Sequence, residues 1–429
     1  MKGHCPRLLF LLFLFSITNQ SFSQKPPTRV VAGIYVNYSE DSVGTYTLPD
    51  PLMLLNGKKV TTSKDWYDKR RPEIIHLYEE NQFGKAPATS TGLNATVFDK
   101  GTPAFDGKAI RKQVTVYLTK DTSHKMDLVI YLPANAKKPV PLLFNVSFTA
   151  NSNMFNDPGI RAGEVWTKEG KKVPAQSGTS FGKINIDPFI EAGFGVAAVY
   201  YGDIEPDFAG GIPYGIEGYY LKPGATQPAA NEWGTIAAWS WGLSRAMDYF
   251  ETDKQVDAKR IALLGVSRLG KTVLWTGATD TRFAMIIASC SGEGGAALSR
   301  RNYGETIKLL SHPTRYFYQF AGNYQRYGDS VNSFPVDGHM LVSLIAPRPL
   351  LLQTGDQDYW SDPKGEFLAA VAATPVYNLL GKDGMKSNEM PKAETLPSST
   401  LGYYMHVGGH GMVPTDWNVF VEYMKAYLK

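Results

Sequence analysis

"LLGVSRLGKT", residues 263–272, joins a hydrophobic run to a helix-forming stretch through Gly265, Val266 and Ser267. A buried strand that stops beside a small residue and turns at once into a helix is where α/β enzymes expose a nucleophilic serine. Gly265 supplies the small residue two positions before the serine. Two positions after it stands Leu269, with Gly270 one later. Gly-x-Ser alone fits a helix N-cap equally well, so the rest of the chain has to decide.

Outward from this turn, short apolar runs alternate with helical patterns. The runs are "VPLLFNVSF", "GFGVAAVYYG", "RIALLGVS", "FAMIIASCS", "RPLLLQTG" and "GYYMHV"; among them lie "NEWGTIAAWSWGLSRAMDYFE", "LGKTVLWTGATD", "KGEFLAAVAATPVYNLLG" and "TDWNVFVEYMKAYL". Nearly continuous apolar strands between helices predict a mostly parallel central sheet covered on both faces, a three-layer α/β sandwich. "KQVTVYLT" and "MDLVIYLP" come earlier and predict an antiparallel pair. Residues 24–429 read as one catalytic domain, with 24–110 as an N-terminal extension packed on it. The Gly-, Pro- and Tyr-rich stretch from about 203 to 230 reads as a long loop, a feature usually functional or disordered.

The chain has 429 residues, 43% hydrophobic and 20% charged, enough for a sizeable core. Residues 1–23 have the form of a signal peptide: "MKGHCPR" carries positive charge, "LLFLLFLFSI" is apolar, and "SFS" precedes Gln24. That predicts a secreted or periplasmic protein. The apolar run is too short to span a bilayer and no other segment is long enough, so no membrane partner is expected after cleavage. Removing the leader takes away Lys2 and Arg7 and no acid, lowering the formal charge from +4 to +2. Such a balance gives no reason to expect nucleic acid. Cys5 leaves with the leader and Cys290 remains alone, so an internal disulfide and a cysteine-based metal cluster are both excluded. Asn37, Asn94 and Asn145 stand in Asn-x-Ser/Thr sites.

A hydrolase of this fold orders its residues Ser, acid, His along the chain. His4 is in the leader, and His76 and His124 precede Ser267. His312 is followed by proline, and His339 lies in the helical pattern "VDGHMLVSLIA". His406 and His410 remain. "HVGGHGM" is a Gly-rich loop, and His410 lies inside it whereas His406 still belongs to the strand, so His410 is the expected base. For the acid, "GDQDYWSDPKGEF" offers Asp356, Asp358 and Asp362. Asp362 before Pro363 reads as a helix N-cap, and Asp356 after Gly355 as a turn residue. Asp358 is the expected orienting acid: it would hold His410 and stabilise the imidazolium while His410 deprotonates Ser267.

These residues resemble a known family. "GVSRLGKT" is similar to the Gly-Cys-Ser-Arg-x-Gly-Lys motif of the glucuronoyl esterases, carbohydrate esterase family fifteen. The resemblance continues in order through "SGEGGAALSRRNYGE", "FPVDGHMLVSLIAPRPLLL", "DYWSDPKGEFLAA" and "GGHG", from about residue 230 to 420. It implies an α/β-hydrolase fold and cleavage of esters of 4-O-methyl-glucuronic acid, as between xylan and lignin, by a monomer that needs no metal or organic cofactor. It also implies roles: Arg268 stabilises the oxyanion, while Lys271, Glu305 and Trp360 hold the sugar. Lys271 is four residues after Ser267 and so one helical turn on. Two cations in a first helical turn oppose the dipole by about 0.3–1 kcal/mol each and ask for a reason. Glu305 could equally be a surface glutamate, and Trp360 a core tryptophan.

One departure stands out. Many family members carry the triad acid immediately before the Ser-Gly of "SGxGG", where this chain has Cys290. Other, mainly bacterial, members use an acid after the next strand, the position of Asp358; Glu293, inside "SGEGG", is a more distant substitute. Two other readings stand beside a glucuronoyl esterase: an esterase on acetyl or methyl esters, and a catalytically impaired carbohydrate-binding homologue.

Overall fold

The apolar runs assemble into a single nine-stranded sheet in a computed structural model, which describes residue 1 and residues 29–88, 92–176 and 182–428. Apart from Met1, the expected leader lies outside the described residues. The strands are Asn94–Ala104 (β1), Ala109–Tyr117 (β2), Lys125–Pro133 (β3), Val140–Ser147 (β4), Gly195–Tyr200 (β5), Val256–Val266 (β6), Met285–Ser289 (β7), Leu350–Gly355 (β8) and Leu401–His406 (β9). Their spatial order is β9-β8-β7-β6-β4-β5-β3-β2-β1. β4 to β9 run parallel, while β1, β2 and β3 form an antiparallel extension joined to β5.

Side-chain alternation sorts the strands into two cores. Leu263, Ile286 and Leu352 enter the larger one; Leu264, Ile287 and Leu351 enter the smaller. Helices Asp187–Glu191 (α1) and Asp416–Tyr427 (α5) close the smaller core. Thr235–Thr252 (α2), Arg268–Thr279 (α3) and Pro363–Leu379 (α4) close the larger one. The result is an α/β-hydrolase sandwich of three layers.

The N-terminal extension divides differently from its reading as a block over 24–110. Its helical part, Ser63–Phe83, buries Trp66, Ile74, Tyr78 and Phe83 against the larger core, with Phe83 stacked 4.7 Å from Trp275 of α3. Residues 94–104, however, are the edge strand of the central sheet, and β2 begins at Ala109. β1 is half solvated and gains its register only by pairing with β2 (Val97 opposite Val114), so its sequence reads as loop.

Among the described residues no helix is long and apolar enough to cross a membrane. Asn37 and Asn145 are buried and their amides are engaged inside the protein, leaving Asn94 as the exposed member of the three glycosylation sites.

Candidate active site

Ser267 stands at the carboxyl end of β6 with φ 59° and ψ −126°. A non-glycine residue held there stores about 1–3 kcal/mol of backbone strain. Two hydrogen bonds hold the turn: Ser267 N–H donates to Ser289 O (2.8 Å) and Lys271 N–H to Ser267 O (3.1 Å). Close approach explains both flanking glycines. A Cβ on Gly265 would lie 2.3 Å from Leu269 O, and one on Gly270 would lie 2.7 Å from Ser289 O. Gly270 therefore lets α3 start against the end of β7, and Leu269 is free to be large because it turns into the core, fully buried. By position Ser267 caps α3, yet its side chain makes no capping hydrogen bond. The turn is an elbow that happens to begin a helix.

The three aspartates of "GDQDYWSD" separate cleanly. Asp358 Oδ2 lies 2.8 Å from His410 Nδ1. Burial raises the Asp358 pKa, but the hydrogen bond and charge of His410, with two hydrogen bonds from Ser361, outweigh it and hold the carboxyl below its ordinary value. Asp356 accepts Gly408 N–H at 2.8 Å and so shapes the histidine loop. Asp362 caps α4 through Gly365 N–H (3.0 Å) and pairs with Arg301. Glu293 is bound to Ser299 and Tyr324 in the core, its carboxyl pushed up to about 8 by burial, remote from the role of histidine partner. His406 pairs with Asp416 at 3.1 Å, and its other ring nitrogen lies 3.0 Å from Gly409 O.

Each cation of the first helical turn has its own acid. Arg268 Nη1 donates to Asp207, and its guanidinium lies 4.6 Å from the Tyr316 ring centroid. Lys271 donates to Ser291 O (2.8 Å) and reaches Glu305 at 3.4 Å. These acids offset the helix dipole and the cost of burial. An ammonium has three donors, so among the described residues one of Lys271's remains after those contacts. Glu305 is buried, not a surface residue, and its second oxygen lies 3.7 Å from Arg315. Arg315 in turn covers the partly exposed Trp360 ring at 5.2 Å, and Glu305 N–H donates to Trp360 O at 2.9 Å. Lys271, Glu305 and Trp360 thus share one patch beside the elbow.

The family model for fungal glucuronyl esterases matches residues 227–381. The carbohydrate esterase MZ0003, from an unknown prokaryotic organism, is 45% identical over 402 residues, 91% of this chain and 92% of its own length. This chain belongs to carbohydrate esterase family 15, the glucuronoyl esterases. The solved structure of the glucuronoyl esterase from Solibacter usitatus matches with a TM-score of 0.84 at 44% identity, covering 90% of this chain and 99% of that one. The 4-O-methyl-glucuronoyl methylesterase of Schizophyllum commune is 24% identical over 379 residues, 86% of this chain and 81% of its own.

Within this glucuronoyl esterase, the buried Cys290 directly precedes Ser291 and Gly292. Its sulfur, an Asp358 oxygen and a His410 nitrogen all lie within 4.8 Å of one another. Positions 290 and 358 therefore flank the same imidazole. Burial pushes the Cys290 thiol well up, and the charges of Asp358 and Glu366 push the same way, so it stays neutral. It serves as a peg: Gly411 N–H donates to the sulfur (3.2 Å), and the thiol donates to Gly411 O (3.3 Å).

Residues without a sequence signal complete the site. Ser361 Oγ lies 3.1 Å from His410 Nδ1, as a second contact beside Asp358. Tyr38 arrives from the N-terminal extension, and its hydroxyl is pushed up to about 12, by burial first and then by the charges of Glu305 and Asp358. Asn37 pins that segment, donating to Asn302 O (2.6 Å) and accepting Gly304 N–H (2.9 Å). "YVNYSE" has no catalytic pattern that would have singled it out.

Proposed function

We propose that this protein hydrolyses esters of glucuronic or 4-O-methyl-glucuronic acid, such as those linking glucuronoxylan to lignin, with Ser267 as nucleophile, His410 as general base and Asp358 as orienting acid. The observation that carries the substrate class is the buried Lys271–Glu305 pair one helical turn from a strained serine. A plain acetyl ester has no hydroxyls to occupy such a pair; a uronate ring has several. The Asp358–His410 contact at 2.8 Å supports the base and its tautomer.

Ser267 Oγ attacks the ester carbonyl as His410 takes its proton. The oxygen that becomes negative lies toward the start of α3, where the Arg268 N–H is unpaired by the helix and the guanidinium adds charge. His410 returns the proton to the departing alcohol, and water releases the acyl-enzyme by the same route. Export through the 1–23 leader and action as a monomer belong to the same proposal.

The test is hydrolysis of benzyl glucuronate beside a simple aryl acetate by wild type, Ser267→Ala and Asp358→Ala. Uronate cleavage that collapses in both variants, with the variants folded, is the expected result. Cleavage of acetate alone would discard the uronate reading, and turnover retained in Ser267→Ala would remove the nucleophile.

A further inference from the structure

We propose that Asp207 is a positioning residue for ester hydrolysis, fixing the Arg268 guanidinium where the carbonyl oxygen becomes negative. The proposal rests on the reading of Arg268 as an oxyanion donor, and its test separates the two.

Asp207 lies in the long Gly-, Pro- and Tyr-rich segment, 61 residues before Arg268. Its side chain is 5% exposed. One oxygen accepts Arg268 Nη1 and the Tyr201 hydroxyl (3.0 Å). The other accepts the Tyr318 hydroxyl (3.0 Å) and Gln319 Nε2 (2.6 Å). A carboxylate offers about four acceptor positions, so this one is saturated. It has no capacity left to take a proton from substrate or to bind a sugar hydroxyl. What it can supply is a fixed charge in a fixed place, tied to the exit of β5 through Tyr201 and to the 317–319 turn through Tyr318 and Gln319.

Arg268 needs that support. Its side chain begins at a helix N-terminus, where a cation is disfavoured, and a free arginine carries about 2 kcal/mol of rotamer entropy. Here the guanidinium is held on one edge by Asp207, over the Tyr316 ring at 4.6 Å and the Phe148 ring at 5.8 Å. Asp207 is its one hydrogen-bond acceptor among the described residues, so the other N–H groups of the fork remain for a forming oxyanion. Donors preorganised toward charge that exists only in the transition state raise kcat and leave KM nearly unchanged. Loss of Asp207 should therefore act on kcat and act only through Arg268.

The experiment is a double-mutant cycle on benzyl glucuronate with Asp207→Asn, Arg268→Ala and the double variant. Arg268→Ala is expected to lower kcat about 10²–10³-fold, the usual loss of an oxyanion donor. Asp207→Asn is expected to lower kcat about 10–100-fold with KM within about twofold, and the double variant to be no slower than Arg268→Ala. Losses that multiply in the double variant overturn the proposal, as does wild-type kcat in Asp207→Asn while Arg268→Ala is slow. Wild-type kcat in Arg268→Ala instead overturns the oxyanion reading beneath it. Should Asp207→Asn not fold, Tyr318→Phe carries the same cycle. It should lower kcat severalfold in the wild-type background and not in Arg268→Ala; an equal fall in both, or in neither, overturns the proposal.

Discussion

Two histidine–aspartate pairs sit at the end of β9, four residues apart along the chain, and they do different things. His406 and Asp416 are both buried, 2% and 0% exposed, and both ring nitrogens of His406 are engaged within the protein, by Asp416 and Gln353 on one side and Gly409 O on the other. His410 pairs with an equally buried acid, Asp358, but its own side chain is 33% exposed. Identical chemistry thus yields a buried clasp in one place and a partly exposed imidazole in the other. The difference is made by the glycines between them: they end the strand after His406 and lift His410 out of the sheet.

The comparison breaks most visibly at the histidines. His410→Ala should lower kcat by about 10³-fold or more, and it should also cost some stability because it strands the buried Asp358. His406→Ala should cost about 3 kcal/mol of stability by stranding the buried Asp416, while the folded fraction stays active. Steady-state kinetics beside thermal melts decide it; similar kinetic losses in both variants would erase the distinction.

A smaller effect is expected at the acids. Asp358→Asn should cost about 10²–10⁴-fold in kcat, because an amide cannot hold the required tautomer. Asp356→Asn keeps an amide oxygen that can still accept Gly408 N–H and should cost about tenfold or less. The reverse ranking would move the triad acid two residues upstream.

The subtlest difference is in pH. Burial lowers the His406 pKa, but the hydrogen bond and charge of Asp416 outweigh it, so the folded value lies above the ordinary 6.5. Its stabilisation is complete below 6.5 and is lost as pH rises through the folded value. The Asp358 carboxyl is held below its ordinary 3.8, so its contribution is complete above that value and is lost as pH falls through the lower folded one. The stability gap between wild type and His406→Asn should therefore narrow toward alkaline pH, and that between wild type and Asp358→Asn toward acid. Melting curves from pH 3 to 9 check both, and gaps that narrow at the same end would contradict the assignment of the two pairs.

Much of this architecture is legible in the chain. Alternation of apolar runs with helical patterns marks β4 to β9, since strands buried on both faces must be apolar throughout. β1 escapes because an edge strand needs only one apolar face and its partner sets the register. Within the candidate site, Asp362 could be read locally because an N-cap bond spans three residues. Ser361 and Tyr38 could not. Their partners lie across loops, and a serine or tyrosine in a loop carries no periodicity that points to a contact.

By itself, then, the sequence determined a two-sided parallel sheet, an elbow at Ser267 and the order of serine, acid and histidine, because local burial and backbone geometry leave short-range patterns. Only the tertiary structure decided that Asp358 rather than Asp356 or Asp362 meets His410, that Cys290 borders the same imidazole, and that Asp207 grips Arg268. Those pairings depend on how separate loops converge at the carboxyl edge of the sheet. A shift of one residue there moves a carboxylate by about 3.5 Å, more than the length of the hydrogen bond it has to make.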